Sequence, residues 1–455
     1  MTFLFFPILG YIRNWSLGYK DNGDYFSRFK RAKQMHTDDR LLLSHIGKDP
    51  LIMLRDAELI QDFYKKQNCY QKVGLPEHLR PLFGHGLTFS EGEMWKRHRK
   101  MISGSFNYEA LKSKVPLVQA TTKEFFDKIG PEGCKDYGLI NKIQEITGEI
   151  VGRMFFGENL GKYSLDNKPL TTYLTDLISD LFVLSLSPMG LLLGEKLVQL
   201  TPTYVKLMKR VKKLREVCHK IIKDRKAQEG DKGNDLLAIL LATQTASDPD
   251  NMMSDEEIVD EFITFFSGGM DSTGHLIGMA LYLLIQHPEY LEKLKKEREM
   301  FYKAGENAEM DSVNKMEELH CFLKETLRFY TPIPFSMDRL ALKDHKIGDL
   351  DIPKGMKVKP DYFAMAFDEQ HWVKPERFNP ERWKGKVDPY TFLPFLAGPR
   401  NCIGQHLAIM EAKVIVSEFL ERFEFKLKEG YQLKMIYRFL YEPEDEIMFD
   451  LKLRG

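Results

Sequence analysis

Apolar and polar positions follow two different periods along this chain. Leu41–Ser44 and Leu51–Leu54 are short apolar runs on either side of Gly47-Lys48-Asp49-Pro50, a spacing that predicts two strands joined by a turn. From about Ala57 to Tyr330 apolar residues recur every three or four positions, the period of helices with one buried face. Short β-like runs return between Leu340 and Val358, punctuated by Gly348, Pro353 and Gly355. The pattern predicts a mainly α protein, helix-rich over about 56–335 and β-rich over about 36–55 and 336–365. No repeat appears, and the clearest linker, Gln228–Asn234, is too short to part independent domains. A single large domain over 1–455 is expected.

One predicted helix stands apart. Ser254 is a good N-cap, and Asp255, Glu256 and Glu257 suit the positive end of the dipole. The helical pattern runs on to Gln286, where His287-Pro288 stops it. At ~1.5 Å per residue such a helix is roughly 50 Å long. Leu276–Ile285 is apolar on every face and belongs in the core. Yet the middle reads Ser267-Gly268-Gly269-Met270-Asp271-Ser272-Thr273. Two glycines cost about 2 kcal/mol of helix propensity, and an acid sits where the core should be. One reading is a kink with a snorkelling acid. The other is that glycine clears space for a ligand while the acid and hydroxyls serve chemistry.

Composition narrows the class. Among 455 residues, 66 Lys+Arg balance 66 Asp+Glu, so whole-chain attraction to nucleic acid is not expected. Cys69, Cys134, Cys218, Cys321 and Cys402 are few, odd in number and widely spaced, which is no disulfide framework and suits a reducing compartment. Met1–Tyr11 is apolar but shorter than the ~17 residues a bilayer needs. It also lacks a basic start and a small-residue cleavage site. Leu177–Leu193 is broken by Asp180, Pro188 and Gly190 and reads as a buried or surface-dipping helix.

The strongest chemical signal is Phe395-Leu396-Ala397-Gly398-Pro399-Arg400-Asn401-Cys402-Ile403-Gly404, followed by an apolar-periodic helix. A glycine- and proline-bearing loop brings a cysteine to a helix start, where backbone N–H groups and the dipole favour a thiolate. Such a thiolate can be a nucleophile, a zinc ligand or a heme ligand. Zinc lacks companions: no other cysteine lies nearby and no HExxH pair occurs. A nucleophile would have only His406 as a local base. Heme suits the neighbours better, because Arg400 can pair with a propionate and Phe395 can cover the sulfur. Taken alone, a lone cysteine is more often an inert packing residue.

FxxGxRxCxG over 395–404, extended by Ala408 to CxGxxxA, resembles the heme-binding loop of the cytochrome P450 family. Four further segments match in order, so the resemblance covers essentially Phe6 to the C-terminus. Trp95-Lys96-Arg97-His98-Arg99 is similar to the family's WxxxR, which implies that Trp95 and Arg99 converge on a propionate. Gly268–Thr273 resembles (A/G)Gx(D/E)T, which implies Gly269 beside the cofactor and Asp271 with Ser272 as the acid–alcohol pair that relays protons. Serine stands where the family usually has threonine, so its hydroxyl is less firmly aimed and Thr273 is an alternative. Glu325-Thr326-Leu327-Arg328 is similar to ExxR, and Pro375-Glu376-Arg377-Phe378, followed by Asn379-Pro380-Glu381-Arg382-Trp383, looks like PERF. The resemblance implies a structural triad of Glu325, Arg328 and Arg377. Arg339 matches a propionate-binding arginine, with Asp338 as a neighbour that competes for it.

The resemblance further implies heme b (iron protoporphyrin IX), with Cys402 as the iron ligand. The implied reaction is heme-thiolate monooxygenation, with O2 and a lipophilic substrate as reactants. Phe262, Phe265, Phe266 and Phe335 are candidates for the substrate pocket, the alternative being plain core. Lys96, Arg97, Arg99 and Lys100 form a basic patch suited to an acidic electron donor, expected to be an NADPH-dependent flavin reductase. Phe6-Pro7-Ile8-Leu9-Gly10 resembles the hinge that follows an N-terminal anchor, and little precedes it, so the chain is expected to be truncated or soluble. If membrane-attached, Leu181–Leu193 beside Lys206–Lys213 would dip into the surface of the endoplasmic reticulum. The rival readings are a heme-thiolate isomerase or dehydratase of peroxides, needing no electron donor, and a non-enzymatic heme-based sensor.

Overall fold

A computed structural model describes residues 40–46, 49–186, 196–228, 233, 235–244, 252–302, 306–334, 336–438 and 440–454. The Phe6–Gly10 hinge, Phe335, Phe439, the centre of the first turn and the second half of the Leu181–Leu193 stretch fall outside them. The architecture is mainly helical with small sheets, as the apolar periods predict. Contacts divide the chain into two compact units.

The first unit gathers Met1–Gly74, Cys321–Cys402 and Gln432–Asp445. Strands Leu41–Ile46 and Asp49–Leu54 pair antiparallel, placing Leu42 opposite Met53. Lys357–Pro360 adds parallel to the second, with Val358 beside Ile52, and Arg339–Ala341 and Tyr70–Lys72 complete a five-stranded sheet. Helix Ala57–Lys65 is capped by Asp56, whose side chain accepts the Leu59 N–H. Its apolar face, with Ile60 and Phe63, packs with Ile52, Leu54, Val358 and Tyr362 of the same core.

The second unit gathers Leu75–His320, Ile403–Tyr431 and Glu446–Gly455. Its axis is the helix Asp255–Gln286, 32 residues long, opened by a capping box in which Ser254 and Glu257 satisfy each other's backbone N–H. The helix is unbroken across Gly268 and Gly269, so the two glycines do not end it. Helix Leu139–Phe156 runs against it, and glycines make the approach possible. A Cβ on Gly274 would lie 2.6 Å from Gln144 Cγ, and one on Gly269 would lie 2.7 Å from Val151 Cγ2. Thr147 Oγ1 donates to the Met270 carbonyl at 2.9 Å across the same seam.

Strands Tyr70–Lys72, Cys134–Gly138 and the pair Ser164–Leu165 and Lys168–Pro169 interrupt the span that periodicity assigns to helices. They are two to five residues long, too short to display a period of two. Cys134–Gly138 is a strand because Met448–Leu453 lies alongside it, a partner far away in sequence.

Candidate active site

In the first unit, the backbone of the Cys402 loop is closed on itself. The Cys402 N–H donates to the Phe395 carbonyl at 2.8 Å, and the Asn401 N–H to the Gly398 carbonyl at 3.1 Å. Gly398 adopts φ +70° and Leu396 φ +63°, so the loop takes left-handed turns at two points. Tyr64 braces it from helix Ala57–Lys65. Its phenol receives the Ala397 N–H and meets the Tyr362 hydroxyl at 2.5 Å, while burial pushes the phenol's pKa up. Sequence reasoning missed Tyr64, which carries no motif.

Phe395, Leu396, Ala397, Arg400 and Cys402 are all half-exposed, although Thr391 and Leu393 just before them are buried. An apolar rim around a thiol, left open by the protein, fits a flat hydrophobic cofactor with acidic edges. Arg339 is 8 % exposed in its strand. Asp338 does not compete for it, because that carboxylate pairs with Lys359 Nζ at 3.2 Å.

The triad also lies in this unit, with one change of membership. Arg328 donates through Nε and Nη2 to the two Glu325 oxygens at 3.0 and 2.8 Å. The second arginine on Glu325 is Arg382, through Nε at 3.0 Å, and not Arg377. The Arg377 side chain is exposed, and only its backbone carbonyl enters, accepting from Arg382 Nη2 at 3.0 Å. Trp383 Nε1 donates to Glu325 Oε2 at 2.9 Å, and the Asn379 N–H to Oε1 at 2.8 Å. The signal was present: Pro-Glu-Arg-aromatic occurs twice, five residues apart, and only the second copy ends in an aromatic ring with an N–H to offer.

In the second unit, the middle of the long helix is where its burial fails. From Ile258 to Leu284 nearly every residue is buried, but Gly268 is exposed and Gly269 and Ser272 are half-exposed. A Cβ at Gly268 would meet nothing within 4 Å, so the clear space belongs to Gly268, whereas Gly269 serves packing against Val151. Ser272, one turn on, donates to the Gly268 carbonyl at 2.7 Å. Asp271 and Thr273 turn inward, each 3 % exposed. Asp271 Oδ1 accepts a hydrogen bond from Thr175 at 2.9 Å.

Trp95 and Arg99 lie one turn apart and half-exposed on helix Gly92–Ser103, and Gly404 precedes the first turn of helix Gln405–Arg422. The basic patch is smaller than its sequence suggests. Arg97 turns inward to Glu257 and to the Met252 carbonyl at 2.7 Å. His98 is fully buried, with Nδ1 2.7 Å from Glu261. Lys96, Arg99 and Lys100 remain for an outward face. Phe262 and Phe266 are fully buried, Phe262 stacking on Phe156 at 3.9 Å, and Phe265 packs on Phe106 and Phe155. These phenylalanines are core.

Among the described residues no cluster of His, Cys, Asp and Glu could hold a metal ion, which removes the zinc alternative there. His406 is exposed. The family model described as cytochrome P450 matches residues 5–450. The chain belongs to the cytochrome P450 family. Cytochrome P450 3A29 of Sus scrofa is 28% identical over 459 residues, covering 96% of this chain and 88% of that one. A cytokinin hydroxylase of Arabidopsis thaliana is 30% identical over 432 residues, covering 89% and 80%. The cytochrome P450DA heme domain superposes with a TM-score of 0.82 at 24% identity, covering 94% of this chain and 93% of that one. A retinoic acid-bound cyanobacterial CYP120A1 gives 0.79 at 22%, covering 93% and 94%.

As a cytochrome P450, the chain is a heme-thiolate monooxygenase that uses heme b. It places one atom of O2 in a lipophilic substrate, with electrons from a redox partner. Bound heme supplies the iron at which O2 is activated, and a thiolate ligand pushes electron density toward O–O cleavage. No described helix is long and apolar enough to cross a membrane.

Proposed function

We propose that Cys402 is the axial thiolate of this monooxygenase. Arg339, Arg400, Trp95 and Arg99 hold the heme propionates, and Phe395 covers the sulfur. Ser272, with Asp271 behind it, delivers protons to the oxygen side. One observation carries the reading: in the middle of a helix buried along most of its length, Gly268 is exposed and Ser272, one turn on, is half-exposed. Ser272 is favoured over Thr273 because it is half-exposed there while Thr273 is buried. Glu325, Arg328 and Arg382 form the buried charge cluster that locks the fold of the first unit.

Converting Cys402 to serine is expected to abolish the Soret band of the CO-bound reduced protein that marks thiolate ligation. Its survival would overturn the assignment. Ser272→Ala is expected to divert electrons from product to hydrogen peroxide, and Thr273→Ala to do so much less. Turnover of an organic hydroperoxide without any reductant, with no donor-driven oxidation, would instead establish the isomerase reading.

The donor we propose is an acidic, NADPH-dependent flavin reductase docking on the face of Lys96 and Lys100, beside Arg99. Turnover with it should slow as salt rises. Attachment to the endoplasmic reticulum surface is supported by exposed Val183, Leu197 and Leu200, which flank residues 187–195. Recovery of the whole chain in the supernatant over vesicles at physiological salt would refute attachment.

A further inference from the structure

We propose that Thr175 is a positioning residue for Asp271, and that its hydroxyl sets the proton affinity and aim of that carboxylate. The inference rests on the reading of Asp271 as part of the proton path. Asp271 is 3 % exposed, and a carboxylate so deeply buried depends on donors to stay charged. Thr175 supplies one from a different helix, Leu170–Leu186, at 2.9 Å. That helix is held close on the same side. One turn before Thr175, the Thr171 methyl fills the space beside Gly148, where a Cβ would lie 2.6 Å from it and 3.0 Å from Met270 Sδ. Met270 precedes Asp271, and its carbonyl is fixed by Thr147.

The donor's helix is therefore packed in place one turn from the bond, and Thr175 gives one Asp271 oxygen a partner. A hydroxyl also differs from a charged partner in kind. It can donate to the carboxylate while accepting from another donor, so a proton can pass through the pair without breaking an ion pair. Thr175 itself is half-exposed, the outer member of the couple.

The test uses heme-loaded protein adsorbed on a graphite ring-disc electrode, which needs neither substrate nor reductase. Oxygen-reduction current and peroxide yield are followed against pH, in light and heavy water, for the parent, Thr175→Val, Thr175→Ser and Asp271→Asn. Melting temperatures of Thr175→Val, Asp271→Asn and the double variant complete the set. Thr175→Val should move the acid-side midpoint of the profile upward by about half a pH unit and roughly double the peroxide fraction. Thr175→Ser should restore both. The two melting shifts should be non-additive, since the same bond is lost in each.

A Thr175→Val profile matching the parent, with Asp271→Asn altered, would overturn the role of Thr175 and leave Asp271 standing. Additive melting shifts would overturn it too. An Asp271→Asn profile matching the parent would remove the proton-path reading and this proposal with it.

Discussion

Two of the buried carboxylates, Glu325 in the first unit and Glu411 in the second, sit in opposite surroundings. Glu325 is 0% exposed, and both its oxygens are filled by Arg328, Arg382, Trp383 and the Asn379 N–H. Arg328 is in turn satisfied by the carbonyls of Ala366 at 2.7 Å and Pro375 at 2.9 Å. Glu411, on helix Gln405–Arg422, is 1% exposed, and its Oε1 has no hydrogen-bond partner. Burial alone pushes its carboxyl well above the usual range. One acid has donors on both oxygens; for the other, burial disfavours the charged form. A buried charge is thus a structural clasp only where its geometry is complete.

The comparison breaks most violently at the clasp. Glu325→Ala or Arg328→Ala strands its partners in a dry interior and should cost about 3–5 kcal/mol. The expected product is protein without heme, read by heme content per chain and by melting temperature; a normal heme content in either variant would refute the clasp. The next largest effect sharpens its membership. Arg382→Ala should cost about 1.5–3 kcal/mol, the range for hydrogen bonds to a charged group. Arg377→Ala should stay within about 0.5 kcal/mol, because the Arg377 side chain is exposed and its carbonyl survives the change. Equal losses in the two variants would show that the second arginine is wrongly assigned.

What could be read in advance follows the same division. The long helix was legible to within a residue at either end, because its cap, its acidic first turn and its closing His287-Pro288 are local signals. The Cys402 loop was legible because glycine, proline and cysteine are fixed by backbone geometry. Arg382 was misread as Arg377 because the two Pro-Glu-Arg-aromatic copies differ only in the final ring, and which one faces Glu325 is decided across more than fifty residues of sequence. The opening was read from Gly268 and Gly269 as a pair; that Gly268 has the clear space while Gly269 packs depends on where Val151 lies. Thr175 and Tyr64 could not be seen at all. Their roles are pairings between distant segments, and no spacing rule records them.

Glu411, the other half of the comparison, is tested through its pH dependence. An unfolded glutamate titrates near 4.3, whereas Glu411 in the folded chain titrates well above that. Between those two values the folded state binds a proton that the unfolded state has released. Stability from this group is therefore fully present below the unfolded value and is lost as pH rises toward the folded one, by at most about 1.4 kcal/mol per unit. Glu411→Gln keeps the shape and removes the titration. At the acid end of the range it should match the parent or fall slightly below it, because the new amide N–H needs an acceptor. As pH rises it should gain steadily on the parent and be the more stable by pH 8. Urea midpoints at pH 5, 6.5 and 8 would show the two curves crossing. Parallel curves would mean that Glu411 stays ionised, and the contrast with Glu325 would then be one of degree.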